Sequence, residues 1–351
     1  MTTRERFKAV MSFEKPDRLP MIEWATWWDK TLEYWRKCGL PHNLKTGIDI
    51  MEYLGLDIHA QFWIPNIKDT APIPTHHGAG ILEDLTLECY EALSPHLFLE
   101  NWVDHSREAI EFRASRQQTV GDLVWVTLEG FFWFPRKLMG IEKHLYAFYD
   151  APEVMHAINE DLLGYNLRML DKFCGICIPD FITIAEDMSY NHGPMISKEL
   201  FDEFMAPYYR KLVSAINNRG VLHNFDAGDI LHQRLCKNRD IEVIVDTDGE
   251  ISQLVPWFES VGITAFLPLE RMSGVDAIAL RKAHPGLRMV GGFDKTVMHL
   301  GEEAMRAEFE RLLPVIQEGG FIPSVDHQTP PNVSLEDYRL YLSLLKEYCA
   351  L

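Results

Sequence analysis

Ile241-Glu-Val-Ile-Val-Asp-Thr-Asp-Gly249 carries an apolar, β-branched core that runs straight into two aspartates and a glycine. Val243 to Val245 read as a buried strand, because branched side chains pack well on a covered, pleated surface. The same grammar recurs along the chain. Leu123 to Leu128 leads to Glu129, Phe181 to Ala185 to Glu186 and Asp187, and Phe266 to Leu269 to Glu270. Met289 to Phe293 leads to Asp294, and Phe321 to Val325 to Asp326 and His327. Acids repeated at strand exits suit a (β/α)8 TIM barrel, whose chemistry sits at the C-terminal rim.

The segments between these strands carry helical periodicity. Ser197 reads as the N-cap of a helix that Pro207 bends or divides. Ser252 to Ser260 and Glu302 to Ile316 show 3.6-residue apolar faces. Strands alternating with helices predict a parallel sheet covered on both faces, here one α/β domain over residues 1–351 with an N-terminal extension. No glycine-rich nucleotide fingerprint follows any strand. Gly220 to Asp240 breaks the rhythm and reads as a rim-covering insertion bearing His223, Asp226, Asp229 and His232.

Composition narrows the partners. The chain has 351 residues, 47% hydrophobic and 25% charged, as in an ordinary globular enzyme. A net charge of −18 argues against nucleic acid or an anionic membrane surface as partner, since both need a basic footprint. The opening residues form no apolar leader, and no run approaches the roughly 18 apolar residues of a membrane span. Six irregularly spaced cysteines fit a reduced, cytoplasmic setting. The lone pair Cys174-Gly-Ile-Cys177 reads as packing near a helix end.

The ordered set RERFKAVMSFEKPDRLP, FYDAPEVMHAINEDL, AEDMSYNHGPMISKELFDEFMAPYY, VDTDGEISQLVPWFESVGITAFLPLE, GGFDKTVM and GGFIPSVDHQTPPNVSLEDY resembles the uroporphyrinogen decarboxylase superfamily over nearly the whole chain. That resemblance implies a (β/α)8 barrel and one of two chemistries. One branch decarboxylates the acetate arms of uroporphyrinogen and carries an Arg-Gln-Ala-Gly-Arg stretch. Here Met21 to Trp35, MIEWATWWDKTLEYW, lacks that arginine pair. The other branch moves methyl groups to or from a corrinoid (cobalamin) on a carrier protein. Its thiol-activating members carry His-x-Cys where this chain has Asp246-Thr-Asp248, and a late cysteine where it has Asp326-His327.

Oxygen ligands in place of sulfur turn the expectation toward an oxygen leaving group. The reading is a corrinoid-dependent methyltransferase that takes a methyl group from a small methoxylated aromatic and passes it to a corrinoid carrier protein. His327, Asp246, Glu186 and Asp326 are the candidate catalytic residues. Asp187, Phe132 and Trp133 are candidates for cofactor or ring contact. Asp246, Asp248, Glu270 and His327 are candidate ligands for zinc or another divalent ion. An aromatic surplus that includes Trp24, Trp27, Trp28, Phe62, Trp63 and Gly130-Phe-Phe-Trp-Phe134 suits either a flat pocket or core packing. Asp246 and Asp248 can equally close a turn, and His327 can equally satisfy a backbone carbonyl. Two alternatives stay open. One is cofactor-independent decarboxylation of another acid, with His327 and Asp246 protonating a carbanion. The other is a non-catalytic corrinoid- or ligand-binding protein. The resemblance also implies that a homodimer is compatible with the fold.

Overall fold

The computed structural model describes residues 1–217 and 241–350. The segment 220–240, expected to cover the rim, lies outside the described residues, and with it His223, Asp226, Asp229 and His232. Among the described residues nine strands form: β1 His59–Trp63, β2 Leu123–Glu129, β3 Phe181–Ala185, β4 Ser189–Tyr190, β5 Gly193–Pro194, β6 Glu242–Asp246, β7 Ala265–Leu267, β8 Arg288–Phe293 and β9 Phe321–Val325. Seven of them make one parallel sheet in the order β1-β2-β3-β6-β7-β8-β9, and β4-β5 is a short antiparallel hairpin.

β3 and β9 fall where the sequence places them, and β2, β6 and β8 fall within a residue or so. β7 is shorter than the expected Phe266 to Leu269, because Pro268 has no N–H to extend the ladder. Ser197 caps the helix Lys198–Phe204 by accepting from Leu200 N, and a second helix, Ala206–Asn217, starts beside Pro207. The amphipathic run from Ser252 is helical only over Val255–Glu259, with proline in its first turn, where a missing N–H costs nothing. β2, β3 and β9 are buried along their whole length, as expected when both faces are covered.

The eighth strand of a closed barrel is not formed among the described residues. Residues 20–25 lie instead between the two edge strands and are tied to both. On the β1 side, Asp57 N donates to Met21 O at 2.9 Å and the His59 ring meets Glu23 O at 2.8 Å. On the β9 side, the Trp24 indole donates to Val325 O at 2.6 Å. Arg18 pairs bidentately with Asp57, which also accepts from Met21 N, so the Pro-Asp-Arg element anchors this crossing. Beneath it Glu23, 1% exposed, accepts from Ser324 Oγ, Tyr338 and Tyr341. Burial pushes its carboxyl up to about 7, against those hydrogen bonds.

Candidate active site

Strands in register bring their C-terminal ends side by side: Glu129 pairs with Ala185, Ala185 with Asp246, and Asp246 with Leu267. Side chains two apart on a strand share a face. Ala185 and Asp187 therefore point the same way, as do Asp246 and Asp248, and all four line one cavity at this rim. Its volume is about 270 Å³, and Trp24, Gln61, Trp63, Trp133, His327 and Gln328 complete its polar and aromatic wall. A larger cavity of about 360 Å³ lies at the other end of β9, between Val10–Leu19 and residues 316–319. No strand C-terminus reaches that one, so the rim cavity is the place for chemistry.

The carboxylates in the rim cavity are held in an unusual electrostatic state. Asp248 N donates to Asp187 Oδ1 at 3.2 Å, which fixes the two loops together. Burial, then repulsion from Asp187 and Asp248, pushes the Asp246 carboxyl far above the usual carboxylate range. Asp248 rises to about 7 through burial and the charges of Asp187 and Glu270, with Lys295 opposing. Asp187 rises for the same first reason, partly offset by the Asp248 N–H. The cluster therefore keeps a proton at neutral pH. His327 Nε2 stands 3.6 Å from Asp248 Oδ2, and burial together with Lys295 holds the imidazole below its ordinary value, hence neutral.

The other predicted residues act from behind the wall. Glu186, fully buried, accepts from Phe132 N at 2.9 Å, Trp133 N at 2.9 Å and the Tyr209 hydroxyl. It binds the start of the helix Trp133–Met139 to the end of β3 and does not line the cavity. Asp326, also fully buried, accepts from Arg271 N, Lys295 N and Lys295 Nζ. Glu270 accepts from Gly249 N and the Ser273 hydroxyl, which braces the turn after Asp248. The Phe132 side chain, expected to meet a cofactor, is instead fully buried against His144 and Phe148. Phe131 and Phe134 are likewise core, and only Trp133 of that run reaches the cavity.

Among the described residues no three His, Cys, Asp or Glu side chains gather as a metal-holding group. Of the expected set, Asp246, Asp248 and His327 line the cavity, while Glu270 does not and accepts instead from Gly249 N and the Ser273 hydroxyl. Sequence reasoning missed Gln61, Gln328 and Lys295. Gln61 and Trp63 are the alternate, exposed-side positions of β1, a strand too short and mixed to announce itself. Cys177 is buried, with its thiol toward Gln117 Oε1, in line with the packing role expected of the Cys174-Cys177 pair.

A family model described as uroporphyrinogen decarboxylase (URO-D) matches residues 124–348. The chain belongs to the uroporphyrinogen decarboxylase family. Among solved structures it is similar to a methyltransferase from Methanosarcina mazei, with a TM-score of 0.66, 14% identity and 99% of each chain covered. A putative vitamin-B12 independent methionine synthase from Listeria monocytogenes aligns with a TM-score of 0.43 and 12% identity, over 93% of this chain and 94% of that one. A 2,3-dimethylmalate lyase aligns with a TM-score of 0.37 and 10% identity, over 99% of this chain and 86% of that one. No curated protein matches the sequence. At these identities the likeness is one of fold, and within the family the reaction rests on the site itself.

Proposed function

We propose that this member of the uroporphyrinogen decarboxylase family is a methyltransferase that demethylates a small methoxylated aromatic, with a corrinoid on a carrier protein as acceptor. One observation carries the reading. The Asp246 side chain, at the end of β6, accepts no hydrogen bond among the described residues, is held protonated by burial and by Asp187 and Asp248, and shares its cavity with three indoles. A neutral carboxyl with a free proton is the group an aryl ether needs, because a phenolate (conjugate acid of pKa about 10) leaves more easily once its oxygen is protonated.

Trp24, Trp63 and Trp133 supply flat walls for the ring. The Trp24 indole is fixed by its bond to Val325 O, and the Arg136 guanidinium lies 4.9 Å over Trp133, so these walls are braced from behind. Asp246 would hydrogen-bond the ether oxygen and pass it the proton as the methyl–oxygen bond breaks. Asp187 and Asp248 keep that proton in place beforehand by repelling a charge on Asp246. Neutral His327, beside Asp248, can return a proton to the cluster from solvent.

The corrinoid, when its carrier is docked, supplies the nucleophile that accepts the methyl group. A corrin macrocycle is too large for a cavity of about 270 Å³, so the fit is to an acceptor placed over the mouth. Trp63 at the end of β1, 46% exposed, Tyr190 in β4 and Met272 after β7 are exposed side chains that would meet it. The test is to incubate the protein with a reduced corrinoid carrier and 2-methoxyphenol or 1,2-dimethoxybenzene and follow release of the phenol. Corrinoid-dependent phenol release supports the reading. Loss of CO₂ from an acid without corrinoid would instead favour the decarboxylase alternative.

A further inference from the structure

Among the described residues, the polar side chains that line the rim cavity are Thr26, Gln61, Asp187, Asp246, Asp248, His327 and Gln328, with no lysine or arginine. Two basic side chains near it among the described residues are already paired. Lys295 Nζ bonds Asp326 Oδ1 at 3.3 Å, behind the wall, and Arg136 donates to the Asp187 carbonyl at 3.1 Å while stacking on Trp133. The remaining wall is indole, whose π faces attract cations and not anions. An anionic ligand would meet the negative charge that the Asp187, Asp246 and Asp248 cluster retains, with no counter-charge on the described wall.

We propose that this cavity selects its methyl donor by charge, admitting neutral and cationic methoxylated rings and excluding those that carry a carboxylate. The inference rests on the reading that the cavity holds the methyl donor, and it adds the substrate class: methoxyarenes without an acidic substituent. Three probes with the same ring and methoxyl group separate the cases: 4-methoxybenzamide (neutral), 4-methoxybenzylamine (cationic) and 4-methoxybenzoate (anionic). Each is titrated into the full chain by calorimetry at pH 7.5, without corrinoid carrier.

The amide and the protonated amine are expected to bind, and the benzoate to bind more weakly than the amide by about tenfold or more. In the double variant Asp187→Asn, Asp248→Asn the gap should narrow through recovery of the benzoate, with far-UV circular dichroism and the urea midpoint serving as the check on folding. Benzoate binding within about threefold of the amide in the unaltered protein would overturn the proposal, as would an unchanged gap in the double variant. If the amide binds with the expected preference but releases no phenol with the carrier present, the demethylation reading falls and charge selection stands. If benzoate is bound and demethylated as readily as the amide, charge selection falls and demethylation stands. Binding of none of the three overturns both.

Discussion

Replacing Glu186 tests how the rim is built. Its carboxylate takes the Phe132 and Trp133 amides, each at 2.9 Å, and the Tyr209 hydroxyl, all in a fully buried setting. Glu186→Ala leaves three buried donors without an acceptor. At about 1–3 kcal/mol each, with some recovery by relaxation, the loss should be about 3–6 kcal/mol. That is a large share of a typical domain's stability of about 5–15 kcal/mol. Glu186→Gln keeps one acceptor oxygen and should lose about half as much.

The same residue makes a pH prediction with a definite sign. Burial raises the Glu186 carboxyl from its ordinary 4.5 to about 7. A raised carboxyl contributes stability that is full below the unfolded value and disappears as pH rises through the folded one. Between pH 5 and pH 8 this group alone should therefore remove about 2.5 kcal/mol. Urea unfolding followed by tryptophan fluorescence at both pH values reads the two effects together. The unaltered protein should lose stability from pH 5 to pH 8, and Glu186→Gln should lose about 2.5 kcal/mol less over that interval. A cost below about 1 kcal/mol for Glu186→Ala, or a pH slope equal in Glu186→Gln and the unaltered protein, would refute the reasoning.

Further outcomes follow from neighbouring residues. Asp246→Asn should lower demethylation about 100-fold or more while leaving ring binding near its original affinity, as steady-state kinetics beside calorimetry would show. Gly130→Ala should destabilise by about 1–3 kcal/mol in urea melts, because a Cβ there would stand 2.1 Å from Glu186 Oε2 and 2.8 Å from the Tyr209 hydroxyl. Lys295→Met strips Asp326 of its ion pair while leaving the Arg271 and Lys295 amides in place, so a cost of about 3 kcal/mol is expected. That variant should also move the Asp248 titration upward from about 7, since Lys295 opposes its rise, and NMR of the carboxyl carbon would report it.

Much of the scaffold was legible because its signals are local. Branched apolar runs, an N-cap at Ser197 and a proline after a helix each specify their own few residues of backbone. The acids at strand exits lie at one end of the sheet, and Asp187, Asp246, Asp248 and His327 line one cavity there. The residues at 20–25 gave no strand pattern, and in the structure they bridge β1 and β9 largely through side chains.

What the chain alone could not say is which member of each pair faces the cavity. FITIA in β3 is buried on both faces, so it has no apolar-polar alternation from which to read the pleat. Only the register of Ala185 beside Asp246 turns Asp187 inward and Glu186 back toward the Phe132 and Trp133 amides. The same holds for Phe132 and Trp133, adjacent in sequence and divided by the helix start into core and cavity wall. In IEVIVDTDG the sequence by itself determined a strand and the chemistry at its exit. The tertiary structure decided that Asp246 and Asp248 share a cavity with Asp187, because only there does burial and mutual repulsion keep a proton on them.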